Sequence, residues 1–168
     1  RLEISGGDPR AVSDIVQRVR RVFDLDADLA AVHKVLANTR LLANAIKQRP
    51  GLRVPGGWDG FEVAVRAVLG QQISVAGATT LARRLVETYG ETRENGRPGL
   101  DRVFPTPEAL VPAPLEKIGL PKARAATLRA VSTAVLEQRL HFRAGQRLDE
   151  FVAGFVALPG IGAWTAHY

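Results

Sequence analysis

The sequence predicts an all-α protein, and three observations support this. Apolar residues recur at intervals of three and four along most of the 168 residues, which places them on one face of a helix. Ser, Thr and Asp precede several of these runs, as expected of residues that cap helix N-termini. Only residues 1–5 alternate polar and apolar side chains, the pattern of one short strand, and no partner strand follows closely.

In the first sixty residues the pattern predicts three helices and then a loop rich in glycine and proline, at 9–23, 28–36, 39–48 and 54–60. Asp8 supplies an N-cap for the first helix. Pro9 fits its first turn, where a backbone N–H donor has no intrahelical partner. Pro50 and Gly51 end the third helix.

The later helices are predicted at 59–69, 75–89, from 106, and at 114–118, 121–138 and 148–157. Asp59 caps the first of these, and its core stripe is Phe61, Val65, Val68 and Leu69. The helix at 121–138 turns its core residues inward, namely Leu128, Val131, Val135 and Leu136.

The ends of these later helices and the segments between them carry their own signals. Ser74 caps the helix at 75–89, and Gly90 closes it in the left-handed C′ position. The polar, glycine-rich segment 91–102 is predicted to be a mobile loop, and 143–146 a turn.

Composition limits the function classes. The chain has 46% hydrophobic residues, enough for a core, and no cysteine, which excludes disulfides and thiolate metal sites in this stretch. Twenty-three Lys and Arg against 17 Asp and Glu give a net charge of +6, which suits a polyanionic partner or, equally, a basic protein of an arginine-rich proteome. No apolar run approaches membrane-spanning length and no signal peptide opens the sequence, so a cytoplasmic protein without a membrane partner is expected.

The segment 158–168, Leu-Pro-Gly-Ile-Gly-Ala-Trp-Thr-Ala-His-Tyr, carries the most specific signal. A tight turn over Leu158, Pro159, Gly160, Ile161 and Gly162 connects two helices. The two glycines leave no Cβ between the backbone and a ligand. The first N–H groups of the next helix have no intrahelical partner, so they can bind a phosphate oxygen.

Three groups of residues, taken in order, resemble the helix-hairpin-helix DNA glycosylase superfamily, and most closely its 3-methyladenine DNA glycosylase II branch. They are 56–74 with its Leu-Gly-Gln-Gln-Ile-Ser motif, 115–123, and 158–168. The resemblance implies that 1–10 is the tail of an N-terminal α+β domain. It implies that 11–168 is the helical glycosylase domain, with the hairpin at about 148–168 and incomplete at its C-terminus.

The same resemblance implies an activity. Such enzymes flip an alkylated purine, of the 3-methyladenine or 7-methylguanine type, out of duplex DNA and hydrolyse its glycosidic bond. Trp164 stands where relatives that also cleave the backbone carry a lysine, so a monofunctional glycosylase without lyase activity is implied. We expect no cofactor, a monomer, duplex DNA with alkylated bases as partner, and association with a bacterial nucleoid.

By the same resemblance, Gln71, Trp164 and Tyr168 line the base pocket, and Gln72 is the wedge that fills the gap left by the flipped nucleotide. An electron-rich ring attracts a cationic alkylated base. Trp164 and Tyr168 lie four residues apart and so share a helix face. The alternatives are that both aromatic residues belong to the core and that both glutamines are solvated turn residues.

The turn residues 158–162 are implied to bind the DNA phosphate through the amides of 161–165, with a monovalent cation possible at the turn carbonyls. Thr165 either takes part in this contact or packs against the helix side. No side-chain metal site is expected.

The charged residues Lys122, Arg124 and Arg129 are interpreted as a solvated face, with contact to the DNA backbone as the alternative. Asp149 and Glu150 suit the start of a helix rather than catalysis. His167 is expected to be a surface or core residue. The family's catalytic Asp is expected beyond Tyr168, so the 168 residues are predicted to bind DNA weakly without excising bases.

Two other functions compete with this interpretation. One is a non-catalytic helix-hairpin-helix DNA-binding module of a repair or regulatory protein. The other is an unrelated helical interaction domain, which would show no salt-dependent affinity for DNA.

Overall fold

The structure, a computed structural model, describes residues 2–4, 8–97, 99–142 and 145–168. The chain divides into two compact units, Arg1–Trp58 and Asp59–Tyr168. The described residues are mostly helical, as predicted. None of the described helices is long and apolar enough to cross a membrane.

The first unit contains one turn of 3₁₀ helix and three α-helices, at Pro9–Ala11, α1 (Val12–Val22), α2 (Leu29–Leu36) and α3 (Arg40–Gln48). Asp8 caps the 3₁₀ turn through a bond from the Arg10 amide (2.9 Å), and Asp28 caps α2 through the Ala31 amide (3.1 Å). Further along, the Arg21 guanidinium donates to the Trp58 carbonyl oxygen (2.6 Å), which ties the end of this unit to α1.

The strand predicted at 1–5 is not found among the described residues. Leu2–Ile4 have no strand structure, and residues 1 and 5 lie outside the described part of the chain. An extended segment needs a neighbouring strand to satisfy its backbone groups. The described residues of this unit offer none.

The second unit holds the remaining elements, which are α4 (Gly60–Leu69), α5 (Val75–Tyr89), β1 (Thr92–Arg97), β2 (Leu100–Arg102), α6 (Pro107–Leu110), a 3₁₀ helix (Leu115–Ile118), α7 (Lys122–Leu136), α8 (Leu148–Val156) and α9 (Ala163–Ala166). Every described residue that is buried lies in this unit. Its core therefore supports the segments that carry the functional candidates.

The stripe predicted on α4 is confirmed, since Phe61, Val65, Val68 and Leu69 are all buried. Asp59 Oδ1 accepts a bond from the Glu62 amide (2.9 Å) and so caps this helix. On α7, Leu128 and Val131 are buried and Val135 is partly buried. Leu136 was predicted to face inward, but it is the last residue of α7 and is exposed.

Gly90 does not take the left-handed conformation predicted for it, because its φ is −76° and its ψ 145°. Glycine is needed here for space instead. A Cβ at this position would lie 2.4 Å from the Val103 carbonyl oxygen and 2.5 Å from that of Val86.

The segment 91–102, predicted to be a mobile loop, forms an antiparallel hairpin instead. Strands β1 and β2 pair with Thr92 opposite Arg102, and the Val103 amide donates to the Glu91 carbonyl (2.9 Å). Gly99 provides the left-handed turn residue with φ +80°. Of the turn predicted at 143–146, residues 143 and 144 lie outside the described residues, and Gly145 is in a turn.

Candidate nucleic-acid interface

The turn between α8 and α9 is fixed by the apolar residues at its two ends. Leu158 and Ile161 are both buried, and the Ile161 amide donates to the Leu158 carbonyl oxygen (3.2 Å). Gly160 between them has φ +79°, a conformation that strongly favours glycine. Pro159, Gly160 and Gly162 remain exposed, so the turn is anchored by its two apolar side chains and is otherwise open to solvent.

The two glycines of the turn have different surroundings. A Cβ on Gly160 would lie 2.1 Å from Thr127 Oγ1 on α7, so the turn backbone packs directly against that helix. A Cβ on Gly162 would have no heavy atom within 4 Å. Gly160 thus faces the protein, and Gly162 faces open space.

The first amides of α9 are available for a ligand. Within the described residues, the N–H groups of Gly162, Ala163 and Trp164 donate to no protein acceptor. All three residues are exposed. The Ile161 amide was also expected to hold a phosphate, but its bond to Leu158 already occupies it. The free donors are therefore concentrated at the start of α9, where an anion is best accommodated.

Trp164 and Tyr168 form an exposed aromatic pair beside these amides. Their ring centroids are 5.7 Å apart and their planes are tilted by 48°. Trp164 is 64% exposed and Tyr168 67% exposed. They share a face as their spacing predicted, and neither ring is buried against the described residues.

A cleft of about 860 Å³ adjoins the pair. It brings together residues from α4, α5, the connection between them, α7, the α8–α9 turn and the segment from α9 onward. Among them are Gln71, Gln72, Arg124, Gly160, Trp164 and Tyr168. Among the described residues, those that line it include no Asp, Glu or Lys. The described part of the cleft wall thus has aromatic and amide groups but no side-chain carboxylate.

Gln71 and Gln72 lie in the short connection between α4 and α5. Gln71 is half-buried, and its side-chain nitrogen donates to the Gly160 carbonyl (2.9 Å) and to Thr165 Oγ1 (3.0 Å). Gln72 is exposed with φ +53°. The sequence predicted both residues at the base pocket, but the two partners of the Gln71 side chain, 89 and 94 positions away, had no local signal.

Thr165 is buried, and its hydroxyl accepts the bond from Gln71. Of the two roles left open by the sequence, its side chain therefore takes the packing role. Its contact also explains why a threonine suits this position, because an apolar side chain would leave one Gln71 donor without an acceptor.

The solvated face predicted for Lys122, Arg124 and Arg129 is wrong for the two arginines, which are half-buried, while Lys122 is exposed. Arg124 Nη2 donates to the Gln71 carbonyl oxygen (2.6 Å). Arg129 Nη2 donates to the Ala113 carbonyl and to Glu116 Oε2, both at 2.8 Å. The hydrogen bonding of Arg129 to the Glu116 carboxylate lowers the pKa of Glu116 to about 2.

The remaining charged candidates serve the helix ends. Asp149 pairs with Arg147 at 2.7 Å, and this hydrogen bond lowers the pKa of the Asp149 carboxyl. Glu150 lies 3.5 Å from the same guanidinium. His167 is exposed, and its Nδ1 donates to the Ala163 carbonyl (2.8 Å).

Comparison with protein families gives this geometry a context. Residues 65–158 match the model of the HhH-GPD superfamily base excision DNA repair protein. The chain belongs to this superfamily. Residues 1–59 match the AlkA N-terminal domain. Residues 1–10 were expected to be the tail of such a domain, whereas the matched segment runs to residue 59.

Individual relatives agree with the family. The chain is 36% identical over 159 residues to a probable bifunctional transcriptional activator/DNA repair enzyme AlkA of Mycobacterium tuberculosis, covering 95% of this chain and 32% of that protein. It is 35% identical over 170 residues to DNA-3-methyladenine glycosylase 2 of Escherichia coli, covering 99% and 57%. The chain thus spans about a third to little more than half the length of these relatives.

The fold is also found among solved structures. A 3-methyladenine DNA-glycosylase from Archaeoglobus fulgidus superimposes with a TM-score of 0.76 at 23% identity, covering 96% of this chain and 55% of that one. This similarity extends the predicted helical glycosylase fold to a structure of low sequence identity.

Proposed function

We propose that this chain is part of a DNA glycosylase that flips alkylated purines out of duplex DNA and removes them by hydrolysis. The observation that carries the proposal is the exposed Trp164–Tyr168 pair beside the free amides of α9. Two exposed rings on the wall of a cleft suit the stacking of an extruded base, which contact with the DNA backbone alone does not require.

In this proposal the α8–α9 turn binds a DNA phosphate. The amides of Gly162, Ala163 and Trp164 donate to phosphate oxygens at the positive end of the helix dipole. Such contacts fix the position of the protein without reading sequence. A monovalent cation at the turn carbonyls remains part of the proposal, with the Gly160 carbonyl already accepting one bond from Gln71.

The flipped base is then received by the aromatic pair. A purine alkylated at N3 or N7 carries positive charge, and the faces of Trp164 and Tyr168 attract a cation more strongly than a neutral base. Gln71 keeps its Oε1 acceptor for the base, because both of its N–H groups are committed. Gln72, exposed at the tip of its loop, enters the space that the base has left.

The chemical step is proposed to be monofunctional hydrolysis, with water as the nucleophile. The cleft-lining residues that the structure describes offer no lysine amine for a Schiff base. They also offer no carboxylate for the cationic sugar, so we propose that this group comes from outside the 168 residues. The protein would act as a monomer on the bacterial nucleoid.

The absence of a carboxylate from the described cleft wall also favours a second candidate, in which the 168 residues bind DNA without catalysis. Both candidates share the turn and the aromatic pair. They differ in whether an adjoining segment supplies a carboxylate at the cleft.

One experiment tests the binding mode, using fluorescence anisotropy of the 168-residue chain. Two duplexes are compared, one with a single 7-methylguanine and one with guanine at the same position. We expect the methylated duplex to bind more tightly, and both affinities to fall steeply as salt rises. Trp164→Ala should weaken binding of the methylated duplex about tenfold and that of the normal duplex far less.

Trp58→Ala is the matched control, because it removes a partly exposed tryptophan of the first unit. It should leave the preference for methylated DNA unchanged. The pocket assignment would fail if Trp164→Ala weakened both duplexes equally. Release of methylated purine by the 168-residue chain can be measured by chromatography. Such release would contradict the proposal that the carboxylate comes from outside the 168 residues.

A further inference from the structure

The side-chain amide of Gln71 joins two segments that are far apart in sequence. Its nitrogen lies 2.9 Å from the Gly160 carbonyl oxygen and 3.0 Å from Thr165 Oγ1. A carbonyl oxygen can only accept, so the nitrogen must be the amide atom that faces Gly160. Both N–H donors of Gln71 are thus used, one on the α8–α9 turn and one on α9.

The backbone of Gln71 is held from other directions as well. Arg124 on α7 donates from Nη2 to the main-chain carbonyl oxygen of Gln71 (2.6 Å). The main-chain N–H of Gln71 donates to the Val68 carbonyl oxygen (3.3 Å). Main chain and side chain are therefore fixed together. A charged donor at this short distance makes the contact with Arg124 the stronger of the two.

The next residue, Gln72, needs such support. Its φ of +53° lies in the left-handed region, which a residue with a side chain rarely adopts because its Cβ crowds the neighbouring carbonyl oxygen. A strained conformation of this kind persists where the surrounding structure determines it. Gln72 is itself exposed, so the determining contacts must come from its neighbours.

The turn, in contrast, has anchors of its own. Leu158 and Ile161 are buried in the core, and Gly160 packs against Thr127 of α7. The bonds from Gln71 therefore contribute more to the position of the α4–α5 connection than to that of the turn.

From these contacts we infer that Gln71 is a positioning residue, which holds Gln72 at a fixed place relative to the phosphate-binding turn. Insertion of Gln72 into DNA then depends on the position of the same turn that binds the DNA phosphate, because Gln71 connects the two. This inference rests on the proposed function, and it assigns Gln71 a role beyond lining the base pocket.

A double-mutant cycle tests this inference on the 168-residue chain. Binding to the duplex with one 7-methylguanine is measured for the wild type, Gln71→Met, Gln72→Ala and the double variant. Methionine keeps the length of the side chain and removes its donors. We expect Gln72→Ala to weaken binding about tenfold in the wild type and only about twofold beside Gln71→Met.

The matched control is Gln138→Met. Gln138 is also exposed and left-handed, with φ +57°, but it follows α7 and does not line the cleft. Beside Gln138→Met, the effect of Gln72→Ala should stay at its wild-type size.

A second pair of variants approaches the same bond from its other end. Thr165→Val removes the hydroxyl acceptor and should reduce the Gln72→Ala effect, whereas Thr165→Ser keeps the hydroxyl and should restore it. Side-chain amide exchange of Gln71, followed by NMR, should be slow in the wild type and faster in Thr165→Val. Circular dichroism checks that each variant is folded.

The possible failures are distinct. If Gln72→Ala weakens binding equally in the wild type and Gln71→Met backgrounds, the positioning role is wrong while the proposed function stands. If the wild type shows no salt-dependent binding to either duplex, the proposed function fails, and the inference fails with it.

Discussion

Gly160 and Gly162 are two residues apart in the same turn, and the sequence alone gives both the same reason to be glycine. The structure separates them. Gly160 has φ +79° and lies against Thr127, whereas Gly162 has φ −98° and open space where a Cβ would be. The inner glycine serves folding, and we propose that the outer one serves the ligand. One short turn can thus divide two tasks between neighbouring glycines.

The largest effect is expected at the inner glycine. In Gly160→Ala the new Cβ meets Thr127 Oγ1 at 2.1 Å, and the backbone keeps a conformation that disfavours alanine. Overpacking and left-handed strain together should lower the free energy of unfolding by roughly 2–5 kcal/mol. Chemical denaturation followed by circular dichroism measures this loss.

Thr127→Ala in the same chain provides the control. It removes the closest contact but not the strain at φ +79°, so the double variant should recover only part of the lost stability. A Gly160→Ala variant as stable as the wild type would show that the turn does not pack against α7 as described.

The outer glycine should behave in the opposite way. Gly162→Ala introduces a methyl group that meets no protein atom, so the free energy of unfolding should change by less than about 1 kcal/mol. If a phosphate approaches the neighbouring amides, the methyl group should hinder it and weaken binding to undamaged duplex DNA about tenfold. Anisotropy titrations at fixed salt measure the affinity. Unchanged affinity would remove Gly162 from the proposed interface.

Features that depend on neighbouring residues could be predicted from the sequence, and features that depend on contacts between distant segments could not. Local signals placed the helices well, because caps such as Asp59 and Ser74 act within three residues of the helix start. The turn 158–162 could also be predicted, since its glycines and its apolar residues are adjacent in the sequence. The segment 91–102 was misjudged although it contains Asn-Gly and Pro-Gly pairs, which are turn signals between strands.

The contacts that give the site its order could not be read from the sequence. The bond between Gln71 and Thr165 spans 94 positions, and the packing of Gly160 on Thr127 joins the α8–α9 turn to α7. Each depends on how α4, α7 and α9 pack, which periodicity does not specify. Arg124 and Arg129 were assigned to solvent for this reason, because a helix face rich in arginine resembles an exposed one until its carbonyl partners are known.

The smallest effect concerns Glu116, whose carboxylate accepts hydrogen bonds from Arg129 of α7. Arg129 donates two hydrogen bonds to this carboxylate and lowers its pKa from an ordinary value of 4.5 to about 2. A carboxylate whose pKa is lowered by folding stabilises the protein fully above its unfolded pKa. This contribution is lost as the pH falls from about 4.5 towards about 2.

Glu116→Gln should therefore melt below the wild type at pH 7, and the difference should shrink at pH 3. Thermal unfolding of both proteins at pH 7 and pH 3 gives the difference in Tm at each pH. Because the other carboxyl groups titrate in both proteins, their effect cancels in that difference. Because the Glu116 carboxylate is far more exposed than the core, the shift in Tm should be small beside that of Gly160→Ala. DNA affinity at pH 7 should not change, since neither Glu116 nor Arg129 lines the cleft. A lower affinity would mean that α7 transmits strain to the outer face, and the division between the two glycines would then be incomplete.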